Sequence, residues 1–277
     1  MNIIDKKIQI YNKTSNDFSA AFTSAFYQIM MFSGDAVFSV DFTEYQVKGN
    51  TILFLSPYQH FQWLSDGETK IECLDFHGDF YCIAYHVKEV ACNGLLFNNV
   101  YLFPHVTVNR ATYDEIIVLF KKIESEKITE NQFSTAILTT YLQLILALCS
   151  KEKNILLTYS QHEDFEGKDH VRFQELLEQY FLKEKSPAFY AAELHLSVST
   201  FSKKIKKQFG KTPTQIIQDR IILESKKMIH LSYKSIKEIA YELNFKDEFY
   251  FSRYFKKGVG ISPLHFRENV GISIVAK

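Results

Sequence analysis

The sequence predicts a two-domain chain, a strand-rich N-terminal half followed by an all-helical C-terminal half. Three observations predict it. The 277 residues are enough for about two domains at roughly 100–200 residues each. Charge divides along the chain: 32 Lys/Arg balance 32 Asp/Glu overall, but residues 1–160 hold 12 basic and 17 acidic side chains (net −5) and residues 161–277 hold 20 and 15 (net +5). Finally, short Phe/Tyr/Val/Ile runs separated by turn signals fill the first half, and a repeated basic segment fills the second.

Composition bounds the function classes. Hydrophobic residues make up 46% and charged residues 23%, so the chain can bury a core, and disordered or collagen-like classes are excluded. Cys73, Cys82, Cys92 and Cys149 form no CxxC motif and read as reduced thiols, the usage of a cytosolic protein. The stretch from Met1 to Ala20 lacks a secretory apolar region. The most apolar run, Tyr141 to Cys149, is interrupted by Gln143 and is shorter than the ~20 residues of a membrane span. A soluble, cytoplasmic protein with no membrane partner is expected. Overall neutrality would argue against nucleic acid, but the uneven division of charge removes that argument.

From Phe22 to about His86 the turn signals are Ser33-Gly34-Asp35, Lys48-Gly49-Asn50, Ser56-Pro57, Ser65-Asp66-Gly67 and His77-Gly78-Asp79. Strands at this spacing predict a small sandwich or barrel, with Phe38–Asp41 and Ile52–Leu55 the clearest. Two helices follow. Ala111–Glu126 places Ile116, Ile117, Phe120 and Ile123 on one face. Gln132–Ser150 is apolar nearly all round, so it should be covered on every side, by the strands, by the first helix or by a second copy of the chain. Lys151 to Asp169 is polar without a sustained period. The predicted boundaries are therefore 1–155, a linker at 156–168, and 169–277.

The repeat is the most informative feature. Phe201–Pro213 reads FSKKIKKQFGKTP and Phe251–Pro263 reads FSRYFKKGVGISP, offset by 50 residues, as expected of a duplicated supersecondary unit. Ala191-Ala192-Glu193-Leu194 precedes the first copy and Ala240-Tyr241-Glu242-Leu243 the second. Ser186 before Pro187 reads as a helix start, and Ser235 with Glu238 has capping-box spacing. Gly210 and Gly260 end the repeated helices. Two short helices joined by a tight turn, the second one basic, follow the helix-turn-helix plan, here used twice. Thr214–His230 between them, at ~1.5 Å per residue, is a strut of roughly 25 Å, compatible with two reading helices about one DNA turn (~34 Å) apart.

In the first copy Phe201 and Ile205 should face inward, leaving Ser199, Ser202, Lys203, Lys206 and Lys207 for DNA. In the second, Phe251 and Phe255 face inward, leaving Phe249, Tyr250, Ser252, Arg253, Lys256 and Lys257. Residues of the first helical turn reach base edges and later lysines meet phosphate. Arg253 is the leading base reader, since its fork matches two guanine acceptors, and Lys203 is its counterpart. Phe249 and Tyr250 either touch thymine methyls or pack. One such helix alone would read as the solvated face of a bundle, but a duplicated unit with matched basic and apolar positions favours DNA.

These residues resemble the DNA-binding domain of AraC/XylS-type bacterial transcription regulators. The match runs over Leu196-Ser197, Phe201-Ser202-Lys203, Gly210, Arg220, Ile236, Ile239-Ala240, Phe245, Phe251-Ser252-Arg253, Phe255-Lys256-Lys257, Gly260, Ser262-Pro263 and Phe266-Arg267. It departs at Asn244 (usually Gly), Ile205 (usually Phe) and Ser225 (usually Ala). The resemblance implies about seven helices with two helix-turn-helix units. The first half resembles the cupin-like sensor domain of that family through Met31, Val40-Asp41-Phe42, Lys48-Gly49-Asn50, Leu53-Phe54-Leu55-Ser56-Pro57 and His60. That implies a β-barrel with two accessory helices, a small-molecule effector inside it, and dimerisation through the helices. The implied partners are double-stranded DNA, the effector, a second copy and RNA polymerase.

An effector pocket would draw on Phe38, Tyr45, Tyr58, His60, Trp63 and Cys73, aromatic groups with a few polar handles, unless these simply fill the core. Cupin enzymes hold a metal with paired histidines, but Gly34–Gly49 contains no His, and His60, His77, His86 and His105 show no ligand spacing. No nucleophile elbow, phosphate loop or paired-His helix is present. A non-enzyme with no catalytic residues, cofactor or metal is expected. Two alternatives remain open: an effector-independent DNA binder whose barrel only dimerises, and a redox switch at Cys73, Cys82 and Cys92.

Overall fold

Side-chain alternation decides the architecture of the first half. The computed structural model describes residues 7–41, 43–81, 95–97, 99–129, 131–163 and 169–271. Its strands are β1 (Ile8–Thr14), β2 (Tyr27–Ser33), β3 (Ala36–Val40), β4 (Thr43–Val47), β5 (Asn50–Leu55), β6 (Phe61–Trp63), β7 (Lys70–Phe76) and β8 (His105–Thr107). They pair antiparallel into a five-stranded sheet, β1-β7-β2-β5-β8, and a three-stranded sheet, β4-β3-β6. Successive side chains of a strand point to opposite faces. Ile29 and Met31 of β2, Ile52 and Phe54 of β5, and Leu74 and Phe76 of β7 therefore share one face with α1 (Arg110–Ile128) and α2 (Ser134–Glu163). Met30, Phe32, Leu53, Leu55, Ile71 and Cys73 face the other way, against Phe38, Val40, Tyr45, Phe61 and Trp63 of the smaller sheet. The expected barrel is thus two facing sheets with two helices outside. A strand buried on both faces loses the apolar–polar alternation and becomes a continuous apolar run, which is why β2 reads Tyr-Gln-Ile-Met-Met-Phe.

The one polar interruption of that run sits in a polar triad. Gln28 Nε2 donates to Asp75 Oδ1 at 3.0 Å, Tyr11 Oη donates to Asp75 Oδ2 at 3.1 Å, and Gln28 Nε2 also reaches Tyr11 Oη at 3.3 Å. Asp75 pairs with Gln28 across the β2–β7 ladder, two positions along from Met30–Cys73 and on the same face. Burial pushes the Asp75 carboxyl up to about 6 and outweighs the two donors.

Three expectations change. Strands β1 and β8 lie outside the region read as strands; both are edge strands, and β8 has only three residues. The helix expected to stop at Ser150 continues to Glu163. It takes in residues 156–163 of the expected linker, because Lys151–Glu163 contains no Gly or Pro to stop it; residues 164–168 lie outside the described residues. The helix is also not covered all round: Leu138, Leu142, Ile145, Leu146 and Cys149 are buried, but Leu144 is 41% exposed, as is Phe133 just before the helix at 62%. At full length, Ser134–Asn154 is long and apolar enough to cross a membrane, with mean hydropathy 1.2 over its most apolar window; here one face of it belongs to the core.

Cys73 and Cys149 are buried and unpaired with each other. Burial pushes the Cys73 thiol up to about 12, the reverse of the lowered value a reactive thiolate needs. Cys82, Cys92 and His86 lie outside the described residues.

The chain forms two compact units, one of Met1–Asn99 with Phe103–Tyr159 and one of Val100–Leu102 with Ser160–Lys277. The second contains seven helices among the described residues: α3 (Asp169–Tyr180), α4 (Pro187–Glu193), α5 (Val198–Phe209), α6 (Pro213–Leu231), α7 (Ile236–Glu242), α8 (Glu248–Val259) and α9 (Pro263–Val270). Helix α6 packs against α4, α5, α7, α8 and α9. Its Ile217, Ile221, Ile222 and Ile229 are buried, as is Ser225. The Ser225 hydroxyl donates to Ile221 O at 2.7 Å, so the hydroxyl that departs from the family pattern is satisfied within its own helix.

The raised carboxyl of Asp75 gives a testable pH dependence. Its folded value of about 6 exceeds the ordinary 3.8, so the folded state binds the extra proton between those values and stability falls as pH rises through that window. Asp75→Asn should therefore raise the melting temperature at pH 7.5, by at most about 3 kcal/mol of stability. The gain over wild type should shrink as pH drops to 5. Melting curves followed by near-ultraviolet circular dichroism across that range check the sign.

Candidate nucleic-acid interface

The two repeats fold into the same local structure. The turn after α4 passes through His195, with φ +54°, and the turn after α7 through Asn244, with φ +56°. In each case the chain reverses by the same hydrogen bond, Leu196 N–H to Ala191 O and Phe245 N–H to Ala240 O, both 2.9 Å. Asn tolerates the left-handed region because its side chain is short and polar, so the turn keeps its geometry without glycine. His195 adopts the same conformation with no signal in the sequence. The next helices are capped in parallel: Ser197 Oγ accepts from Thr200 N–H at 3.1 Å, and Asp247 Oδ1 from Tyr250 N–H at 2.7 Å. Both helices end on a left-handed glycine, Gly210 at φ +70° and Gly260 at φ +89°.

Burial fixes which way each helix faces. Phe201, Ile205 and Phe209 are buried on α5, and Phe251, Phe255 and Val259 on α8, an i, i+4, i+8 stripe in both. The Ile205 departure is therefore an ordinary core substitution. Around that stripe, Ser199, Lys203, Lys206 and Lys207 are exposed on α5, as are Phe249, Tyr250, Arg253, Lys256 and Lys257 on α8; Ser202 and Ser252 are half-buried. Among the described residues Lys203, Lys206, Lys207, Arg253, Lys256 and Lys257 make no ion pair. Other basic groups of this unit do: Lys204 with Asp169 at 2.5 Å, Lys211 with Asp219 at 2.7 Å, and Lys234 with Glu242 at 2.6 Å.

Two arginines of the family pattern hold the scaffold. Arg220 donates to Glu178 at 2.9 Å and Glu224 at 3.0 Å and lies 3.9 Å over the Phe181 ring. Arg267 donates to Lys234 O at 2.7 Å. Sequence reasoning missed Lys185. Its Nζ donates to Leu243 O at 3.1 Å and Asn244 O at 3.0 Å, at the end of α7, and sits 3.5 Å above the Phe245 ring. Burial pulls this amine down to about 8. It ties the chain just before the first helix pair to the turn of the second.

In the N-terminal unit, the structure gathers Phe38, Tyr45, Trp63 and Cys73 in the space between the two sheets. Phe38 pairs with Tyr45 on one side and Trp63 on the other. Tyr58 and His60 are half-buried and stand outside this buried apolar group. Alternation turns Phe61 and Trp63 inward, which leaves His60 in the turn beside Asp41, 3.8 Å away, and Tyr58 at φ +60° on the Ser56–His60 bend. Sequence reasoning gave His105 no role, yet its ring lies edge-on to Phe38 at 5.8 Å and Tyr45 at 5.6 Å. Trp63 Nε1 and His105 Nδ1 are buried without a hydrogen-bond partner among the described residues. Burial holds the His105 imidazole down at about 4, so it is neutral near pH 7. Among the described residues no cluster of three His, Cys, Asp or Glu is placed to hold a metal.

Two successive helix-turn-helix units joined by a central helix define the class of the C-terminal unit, and residues 190–269 match the helix-turn-helix domain family. The transcriptional activator RhaS of an Enterobacter species is 26% identical over 174 residues, 61% of this chain and 59% of that protein. RhaS of Escherichia coli is 25% identical over 167 residues, 59% and 57% of the two chains. The chain thus spans less than two thirds of these relatives' length. Among solved structures, ToxT from Vibrio cholerae shares 15% identity over 96% of this chain and 98% of its own, with a TM-score of 0.41. Residues 190–269 are thus similar to a helix-turn-helix domain, and the chain is similar to these activators.

The glycine cap of α5 can be tested in isolation. A Cβ at Gly210 would meet nothing within 4 Å, so Gly210→Ala changes only the cost of a positive φ. The variant should lose about 1–2 kcal/mol of stability in the C-terminal unit, read from urea unfolding followed by helical circular dichroism.

Proposed function

We propose that this protein is a cytoplasmic, sequence-specific DNA-binding transcription regulator, not an enzyme, that grips duplex DNA with α5 and α8. The observation that carries the reading is the pair of matched helices, each burying one apolar stripe and turning unpaired cations outward. Helix α6 has 19 residues, roughly 28 Å at ~1.5 Å each, a span suited to two reading helices in successive major grooves. Arg253 and Lys203 read base edges, and Lys206, Lys207, Lys256 and Lys257 meet phosphates. RNA polymerase is the downstream partner.

The N-terminal unit, on this reading, receives a small-molecule effector between its two sheets. The buried Trp63 Nε1 and His105 Nδ1 support it, since an unpaired buried polar atom costs roughly 1–3 kcal/mol that a polar ligand would recover. A second reading, in which this unit serves only for pairing, draws on the close aromatic filling of the same space: Phe32 lies 5.1 Å from Trp63 and 5.9 Å from Phe38. A rise in melting temperature with a metabolite pool separates the two, because a ligand that binds only the folded state stabilises it.

Selection of duplexes from a random pool, followed by gel-shift titration, tests the DNA reading. Arg253→Ala should weaken the selected site by about 1–3 kcal/mol and relax its sequence preference. Lys256→Ala should weaken all sequences alike and lower the salt slope by about one. Unchanged discrimination in the double variant Arg253→Ala with Lys203→Ala would overturn the site assignment.

Pairing of two copies uses the open side of α2, where Leu144 and Phe133 are exposed beside half-buried Ile137, Tyr141 and Leu148. Sedimentation should show a dimer, and Leu144→Glu should convert it to a monomer of unchanged helical content.

A further inference from the structure

Along their exposed stripes the two reading helices match in residue type except at the tip. On α5 that stripe is Ser199, Ser202, Lys203 and Lys206; on α8 it is Phe249, Ser252, Arg253 and Lys256, both at i, i+3, i+4, i+7 spacing. Such residues share one helix face. Phe249 therefore stands where Ser199 stands in the first copy, one turn ahead of Arg253. Phe249 is 76% exposed, more than any other phenylalanine among the described residues, and no ring contact is seen for it among those residues. Tyr250 beside it behaves differently, resting 5.8 Å from the Phe245 ring and half-exposed. Of the two readings open for Phe249 in the sequence, packing and contact, the structure leaves contact.

The chemistry of the ring narrows what that contact is. A phenyl group has no donor or acceptor, so it gains nothing from phosphate or from the polar edges of guanine, cytosine or adenine. The one apolar feature a base pair shows in the major groove is the thymine C5 methyl. The charges around the ring agree with a groove-facing position. Arg253 and Lys256 follow on the same face, the Asp247 carboxylate is engaged in capping Tyr250 N–H, and Glu248 lies half-buried on the inner side.

We infer that Phe249 is a specificity-determining residue that seats on a thymine methyl group, so that the half-site read by α8 requires a thymine where the half-site read by α5 does not. The inference rests on the DNA-binding reading above and adds to it the identity of a recognised base. The recognition is by shape and apolar contact alone, next to the hydrogen-bonding readout of Arg253.

The test uses the full-length chain and the duplex it selects from a random pool. Each thymine of the selected site is replaced in turn by deoxyuridine, which removes only the methyl group. Wild type should bind at least one such duplex, within the half-site protected by α8, about fourfold more weakly, the ~0.8 kcal/mol of one buried methyl-sized group. Phe249→Ala should bind the thymine duplex about fourfold more weakly and be indifferent to the same replacement. Its melting curve should match wild type, because the ring is exposed. Phe249→Leu, which keeps an apolar contact, should retain part of the methyl preference. Selection of a specific site with no uridine effect at any position would overturn the inference and leave DNA binding standing. So would an equal uridine effect in Phe249→Ala. Failure to enrich any sequence would overturn both.

Discussion

A helix with large apolar side chains at i, i+4 and i+8 can turn only its other face outward, and the C-terminal unit depends on that constraint twice. Phe201, Ile205 and Phe209 fix the rotation of α5, and Phe251, Phe255 and Val259 fix that of α8. Rotating either helix by one residue, about 100° at 3.6 residues per turn, would expose phenylalanine and bury lysine. Burying an unpaired charge costs more than any surface contact returns. Which side chains face solvent is thus decided by the core, before any partner is present. The anchors follow the same logic. Phe173 of α3 packs edge-on against Phe201 at 5.2 Å, and Phe255 packs against Phe266 of α9 at 5.6 Å.

The N-terminal unit obeys a related constraint with period 2 instead of 3.6. Its larger sheet is covered on both faces, by helices on one side and the smaller sheet on the other. A one-residue slip of β2 would exchange Met30 and Phe32 for Ile29 and Met31 and carry Gln28 to the helix side, away from Asp75. The buried triad of Tyr11, Gln28 and Asp75 therefore pins a register that two apolar faces alone leave weakly specified. Its carboxylate lowers stability near neutral pH, as a group kept for register would.

Legibility in the sequence followed the strength of local signals. The helical repeat was legible because Phe, Ser, Lys, Gly and Pro recur at fixed places, and the caps at Ser186, Ser235, Gly210 and Gly260 were each read from a local rule. Strands bounded by glycine turns were legible for the same reason. The misses had no such signal. The three residues of β8 are too few to show alternation, and α2 runs on because a polar stretch of good helix formers looks like a linker unless Gly or Pro interrupts it. His195 takes a left-handed turn that nothing in its identity announces. The aromatic group between the two sheets was the least legible part. Tyr58 and His60 were chosen for their chemistry, but the parity of β6 sends Phe61 and Trp63 inward and leaves His60 behind; His105 enters from an edge strand distant in sequence.

The charge balance shows how a global quantity can mislead. Zero net charge is a sum over groups far apart, whereas at physiological salt a charge is screened within about 8 Å. A phosphate approaching α8 therefore responds first to Arg253, Lys256 and Lys257 on that helix. Other cations of the C-terminal unit are held in ion pairs, such as Lys204–Asp169 and Lys234–Glu242. Those pairs neutralise cations away from the two exposed stripes and leave the cations on the stripes unmatched. The positive potential is thereby concentrated where the apolar cores of α5 and α8 force the polar faces outward. Position and pairing of each cation, not their number, determine what the surface can attract.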